Sequence, residues 1–189
     1  MEISIKLAQY IDILLDYNQK INLVSRKITP AEVEQLISES LLMNQYISNE
    51  IKIIVDAGSG NGLLGIPIAL ENPKRKMILV EPKHKKAVFL QKVKDDLKLD
   101  NVEVKAVSIE EYLIKEKKFH RTIIARGYPD LDVFIRFINK GLIKEAVLIT
   151  SDNKIKINEL PLESVRKKTY NVPLRENLKI LKMENAAGE

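Results

Sequence analysis

The sequence predicts an α/β fold, a mostly parallel, doubly wound sheet with helices on both faces. Two observations predict it. From Ile51 onward, short apolar runs of strand length alternate with amphipathic helical patterns. The first of these runs, Ile51-Lys52-Ile53-Ile54-Val55-Asp56, ends in a carboxylate and leads into a loop with Gly58, Gly60, Gly62 and Gly65 and then an apolar helical stretch.

Ahead of this alternation, Ile3, Leu7, Ile11, Leu14 and Leu15 fall at helical spacing with Tyr10 beside them, which predicts an amphipathic helix over 3–17. Thr29-Pro30-Ala31-Glu32 is a helix start, with Thr29 as N-cap, Pro30 at the first position and Glu32 in the first turn. That second helix is expected to run to about Ile47, with a turn at Asn49-Glu50. Strands are expected at 51–56, 76–81, 102–107, 120–126 and 145–150, and a closing hairpin at 165–172 and 177–184, seven in all. The intervening helices are 63–72, stopped by Pro73; 85–99, with Val88, Leu90, Val93, Leu97 and Leu99 apolar; a short one from Glu110; and 131–141. The chain is therefore read as an N-terminal helical segment, 1–48, packed on a core at 49–189, together one compact domain.

Composition narrows the chemistry. Cysteine is absent, which removes disulfides, thiolate metal sites and a cysteine nucleophile. The two histidines, His84 and His120, sit in basic surroundings, so no metal centre is expected. No apolar run approaches the roughly 20 residues of a membrane span, and the first residues lack a signal-peptide pattern, so a cytoplasmic location is expected. Lys and Arg total 31 against 26 acids, a net charge of +5. That bias favours an anionic partner such as RNA, and it equally fits a heavily charged solvated surface.

Two ligands compete for the glycine loop. Gly60-Asn61-Gly62-Leu63-Leu64-Gly65 fits the dinucleotide pattern G-x-G-x-x-G, whereas Asp56-x-Gly58-x-Gly60-x-Gly62 fits the loop of S-adenosylmethionine (SAM) methyltransferases. Charge separates them. A pyrophosphate seeks backbone N–H groups and is repelled by a carboxylate at the strand end. SAM has no phosphate and brings an ammonium and a sulfonium, which suit Asp56. Glu81 ends the second strand, where a carboxylate can accept ribose hydroxyls of either ligand, or simply be a solvated strand-end acid. Glu110 follows the third strand and doubles as a helix-start acid favoured by the dipole.

Four segments resemble the bacterial 16S ribosomal RNA guanine-N7 methyltransferases, the family also called glucose-inhibited division protein B. They are Tyr17-Asn18-Gln19-Lys20-Ile21-Asn22-Leu23, the loop from Asp56 to Pro67, Ile123-Ile124-Ala125-Arg126-Gly127-Tyr128, and Asn177 to Lys182. The resemblance implies a Rossmann-like class I SAM-dependent methyltransferase acting on ribosomal RNA or the small ribosomal subunit. It also implies that Gly58 and Leu63 line the cofactor pocket, that Ile109 and Glu110 meet the adenine, and that Arg126 lies beside cofactor and substrate. Without the resemblance, Arg126 would be an ion-pair partner of a neighbour such as Asp130, and Asn22 a turn residue. Departures from the family pattern fall at Leu36, where a His is usual, at Glu39 for Asp, at Leu64 for Pro, at Ser108 for Arg, and at Ser151 to Lys154 for Lys-Gly.

Guanine N7 has a lone pair and no proton, so methylation there needs no general base, and no catalytic residue is assigned. The missing cysteine argues against pyrimidine C5 chemistry. Lys83, Lys85, Lys86, Lys117, Lys118, Arg121 and the run Arg166 to Lys168 are candidate RNA contacts, and Tyr128 a candidate base-stacking ring. The rival readings are a non-catalytic SAM- or RNA-binding relative, a methyltransferase with another acceptor, and an NAD(P)-dependent oxidoreductase.

Overall fold

A computed structural model gives the structure of the chain, described here for residues 2–116, 121–151, 153, 165–173 and 175–186. Seven strands form one sheet: β1 (Ile53–Ala57), β2 (Lys76–Val80), β3 (Val102–Lys105), β4 (Arg121–Arg126), β5 (Glu145–Ser151), β6 (Val165–Val172) and β7 (Arg175–Asn185). Their order is β3-β2-β1-β4-β5-β7-β6, with the first five parallel and β7 antiparallel to both β5 and β6. The expected seven-stranded, mostly parallel sheet is present. The chain runs outward from β1 to β2 and β3, then returns to the other side of β1 at β4. This topological switch opens a crevice beyond the carboxyl ends of β1 and β4, the usual ligand position in such sheets.

Strand alternation divides the core. Ile54, Leu79, Ile124 and Val147 face one side, where they meet α1 (Glu2–Asn18), α2 (Pro30–Met43), α3 (Gly65–Glu71) and α4 (His84–Asp96). Val55, Ile78, Ile123 and Leu148 face the other side, toward α5 (Ile109–Lys115) and α6 (Asp132–Asn139). By the same alternation Asp56 and Arg126 project toward the side of the N-terminal helices.

Both helix starts of interest are capped. Thr29 and Glu32 form a reciprocal capping box at α2, and Ser108 caps α5 through Glu111 N–H at 3.1 Å. The position where the family usually carries Arg thus serves as an N-cap here. The helix expected to reach Ile47 stops at Met43 and tightens into a 3-10 turn over Asn44–Tyr46. In α1 the buried stripe begins only at Tyr10, and Ile3 is exposed. In α4 the inward position belongs to Phe89, while Val88 points to solvent.

A buried acid ties the end of the helical segment to the sheet. Glu145 accepts from Ser48 N–H at 2.9 Å and Ser48 Oγ at 2.7 Å, from Thr122 Oγ1 at 2.6 Å and from Lys182 Nζ at 2.9 Å. Burial alone would raise its pKa, but these donors hold it below the ordinary glutamate value.

Candidate functional site

The switch-point crevice is a cleft of about 350 Å³. One wall is the glycine loop after β1, with Asp56, Gly58, Ser59, Gly60, Asn61, Leu63 and Leu64. The opposing wall is the connection from α1 to α2, with Leu23, Val24, Ser25 and Ile28, joined by Leu36 of α2. Arg126 and Lys86 complete the lining.

The loop is shaped by backbone bonds that only glycine permits in part. Gly58 and Ser59 N–H groups both donate to Val80 O, at 2.9 and 3.0 Å, so the chain folds back over the end of β2. Gly62 has φ +82°, and a β-carbon there would lie 2.9 Å from both Ile66 Cγ1 and Leu90 Cδ2. A β-carbon on Gly65 would collide with Leu79 Cδ2 and would lie 2.7 Å from Asp56 Oδ2. Gly62 and Gly65 are therefore packing glycines behind the cleft, whereas Gly58 and Gly60 line it, and a β-carbon on either would meet nothing closer than 3.7 Å.

Asp56 is buried, and its Oδ2 accepts the Gly65 N–H at the start of α3, at 3.1 Å. Burial pushes its carboxyl up to about 7, against the lowering pull of Ser59 and Gly65, with the Glu81 charge adding to the rise. Among the described residues no cation forms a salt bridge with it. Glu81 lies one step outside the lining. Its Oε2 accepts Gly60 N–H at 2.9 Å and its Oε1 accepts Lys83 N–H at 2.8 Å, so each oxygen keeps a lone pair.

Arg126 does not pair with Asp130, which instead meets Arg136 at 3.1 Å. Its guanidinium donates to the Glu39 carboxylate and, at 3.1 Å, to Leu36 O, with Ser40 Oγ at 3.4 Å. The second Glu39 oxygen accepts Arg175 Nε at 2.7 Å. Burial pulls the Arg126 pKa down and Glu39 opposes that pull.

Ile109 and Glu110 do not line the cleft. Ile109 is buried on the α5 side of the sheet. Glu110 lies near enough to Tyr128 that, after burial itself, its charge helps push the phenol up to about 12. Tyr128 stands edge-on to Phe134 with ring centroids 4.9 Å apart, and a β-carbon on Gly58 would sit 3.7 Å from its Cε2. The glycine loop, Tyr128 and Glu110 are thus neighbours in space.

The wall from the N-terminal segment escaped sequence reasoning. Asn18 Oδ1 accepts Leu23 N–H at 2.9 Å and Val24 N–H at 3.1 Å, which curls the connection. Asn61 Nδ2 then donates to Leu23 O at 3.1 Å, and buried Tyr10 donates to Asn61 O at 2.7 Å. The available signals were the Asn18-x-x-x-Asn22-Leu23 spacing and a tyrosine on the inward face of α1.

Among the candidate RNA contacts, Arg121 is a correction. It is 1% exposed and lies over the Tyr112 ring, 5.6 Å from its centroid, so it cannot meet RNA. Lys117, Lys118 and His120 lie outside the described residues. Among the described residues, no cluster of His, Asp and Glu is arranged to hold a metal ion, and no helix is long and apolar enough to cross a membrane.

Residues 3–169 match the family described as rRNA small subunit methyltransferase G. The ribosomal RNA small subunit methyltransferase G of Brachyspira hyodysenteriae is 37% identical over 172 residues, which cover 90% of this chain and 82% of that one. Its namesake from Fusobacterium nucleatum is 31% identical over 168 residues, 86% of this chain and 71% of that one. Among solved structures, a precorrin-6y C5,15-methyltransferase from Geobacter metallireducens superposes with a TM-score of 0.58 at 15% identity, over 86% of this chain and 90% of that one. This last similarity bears on the fold alone.

Proposed function

The chain belongs to the rRNA small subunit methyltransferase G family, and from that premise we propose that it methylates guanine N7 in 16S ribosomal RNA with SAM as donor. One observation carries the cofactor assignment. Asp56 is a buried carboxylate with no salt bridge among the described residues, and it lines the same cleft as Gly58 and Gly60. That set fits a ligand with a positive charge and no phosphate, and it opposes a pyrophosphate.

SAM, when bound, supplies an electrophilic methyl group. The chain's own part is to bind, orient and exclude water. Asp56 receives the ammonium, and the free lone pairs of Glu81 receive ribose hydroxyls. Leu23, Leu36, Leu63 and Leu64 keep the cleft dry. Arg126, held from behind by Glu39, is the donor available to an acceptor carbonyl such as guanine O6. No residue has to remove a proton, because N7 carries none. Ile109 and Glu110 support the Tyr128 side of the loop, where the adenine is expected. Gly62 acts by shaping the loop. A cytoplasmic location follows from a ribosomal RNA acceptor.

Incubation with labelled SAM and either unmodified small subunits or naked ribosomal RNA, followed by nucleoside analysis, tests the proposal. The expected product is 7-methylguanosine in one of the two RNAs. SAM binding without transfer to either would remove the RNA acceptor. A melting temperature raised by NADH and not by SAM would remove the cofactor.

A further inference from the structure

The cleft has a basic mouth built from two separate parts of the chain. Lys86 lines it from α4, next to the exposed Lys83 and Lys85. Across from it, the α1–α2 connection that forms the other wall carries Arg26 and Lys27, both exposed. Acids near this second wall are already engaged: Glu32 caps α2 and Asp16 faces Lys20. Arg26 has only the neutral Asn22 Oδ1, at 3.2 Å. None of these five cations has an acidic partner among the described residues, whereas Lys6, Lys76, Lys92, Lys105 and Lys115 are each paired with an acid.

The connection is a built wall. Asn18 curls it, and Asn61 of the glycine loop grips it at Leu23 O. Arg26 and Lys27 therefore sit at a fixed place relative to the glycine loop. A rigid rim with cations on both sides suits a strand whose phosphates pass along it while one unpaired base turns inward. A cleft of about 350 Å³ is at the small end for ligand pockets, so an intact duplex has no room to enter.

We infer that an unpaired RNA strand docks across this mouth, with phosphates on Arg26 and Lys27 on one side and on Lys83, Lys85 and Lys86 on the other. The inference rests on the RNA methyltransferase reading and names the surface that reading requires. Single-stranded RNA releases counterions in proportion to the phosphates neutralised, at a slope of roughly −0.7 per contact in log affinity against log salt.

The test uses the full chain and a fluorescently labelled single-stranded RNA oligonucleotide, alone and annealed to its complement, titrated at several salt concentrations. The paired substitution Arg26→Gln with Lys27→Gln should flatten the salt slope by about 1.4. It should raise the KM for ribosomal RNA at least tenfold, leave kcat within threefold, and leave SAM affinity within twofold. Lys85→Gln should flatten the slope by about 0.7. Unchanged slopes in both variants, or a duplex bound as tightly as the single strand, overturn the surface. If the wild-type protein still methylates ribosomal RNA in that case, the surface alone is wrong. If the wild-type protein neither binds nor methylates RNA, the functional reading falls with it.

Discussion

Glu39 grips Arg126 across two elements that are 87 residues apart in the chain, from the middle of α2 to the end of β4. The same carboxylate also holds Arg175 at the start of β7. One buried acid thereby fixes the arginine that lines the cleft and fastens the helical segment to the sheet. A buried carboxylate is stabilised only while its partners remain, and removal of one member strands the others.

Replacing Glu39 with Gln should therefore lower kcat/KM for RNA methylation at least tenfold, about 1.4 kcal/mol of transition-state stabilisation, while SAM affinity changes less than threefold. Glu39→Asp, which keeps the charge on a shorter arm, should recover part of the loss. A stability effect of Glu39→Gln without any change in kcat/KM would reduce Glu39 to a structural tie. Calorimetric SAM binding alongside steady-state kinetics separates the two.

Asp56 makes a pH-dependent prediction. Its folded pKa of about 7 lies above the ordinary 3.8, so the folded chain keeps a proton that the unfolded chain has released. Stability of the ligand-free protein should decline as pH rises from about 4 to about 7 and then level off. Asp56→Asn keeps an acceptor for Gly65 N–H and removes the buried charge. It should melt higher than wild type near neutral pH, and show a flatter profile. SAM affinity should run the other way in the wild type, rising as pH approaches 7 and Asp56 ionises, and Asp56→Asn should lose both the affinity and its pH dependence. Thermal melts and calorimetry across that range check both signs.

The glycines should separate by role. Gly62→Ala forces a β-carbon against Ile66 and Leu90 at a positive φ, so unfolding free energy should fall by about 2 kcal/mol or more. Gly58 also has a positive φ, +71°, but a β-carbon there meets only the Tyr128 ring at an ordinary 3.7 Å. Gly58→Ala should lose about 1 kcal/mol of stability and at least tenfold in SAM affinity. Denaturant titration and SAM binding on the two variants distinguish a packing glycine from a site glycine, and the same loss in both for each variant would erase the distinction.

How legible the site was depends on sequence distance. The strands were readable because runs such as Ile54-Val55 and Ala146-Val147-Leu148 are buried on both faces. The glycine loop was readable because backbone geometry dictates its residues locally. Arg126 was visible as a site residue, but its partner was sought nearby, at Asp130, since nothing in a linear pattern points from β4 back to Glu39. Arg121 looked like part of a surface run of cations, yet the strand it starts carries it under Tyr112. Val88 and Phe89 show the limit of periodicity alone, because one residue of phase decides which of two apolar neighbours faces the core.

Tyr10 offers the sharpest test that the N-terminal helices belong to the ligand site. Its hydroxyl is fully buried, and burial raises its pKa well above the ordinary value, with Asp56 adding to the rise, so it remains a proton donor to Asn61 O at 2.7 Å. Tyr10→Phe removes that donor from the half-buried Asn61 carbonyl, which costs about 1 kcal/mol. Asn61→Ala removes the grip on Leu23 O, and with it the register between the two cleft walls. Both variants should weaken SAM binding several-fold. In the double variant the losses should be less than additive, because Tyr10 acts through the loop position that Asn61 occupies. Strict additivity of the two losses, measured by calorimetry on the four proteins of the cycle, would mean that α1 braces the core without setting the cleft.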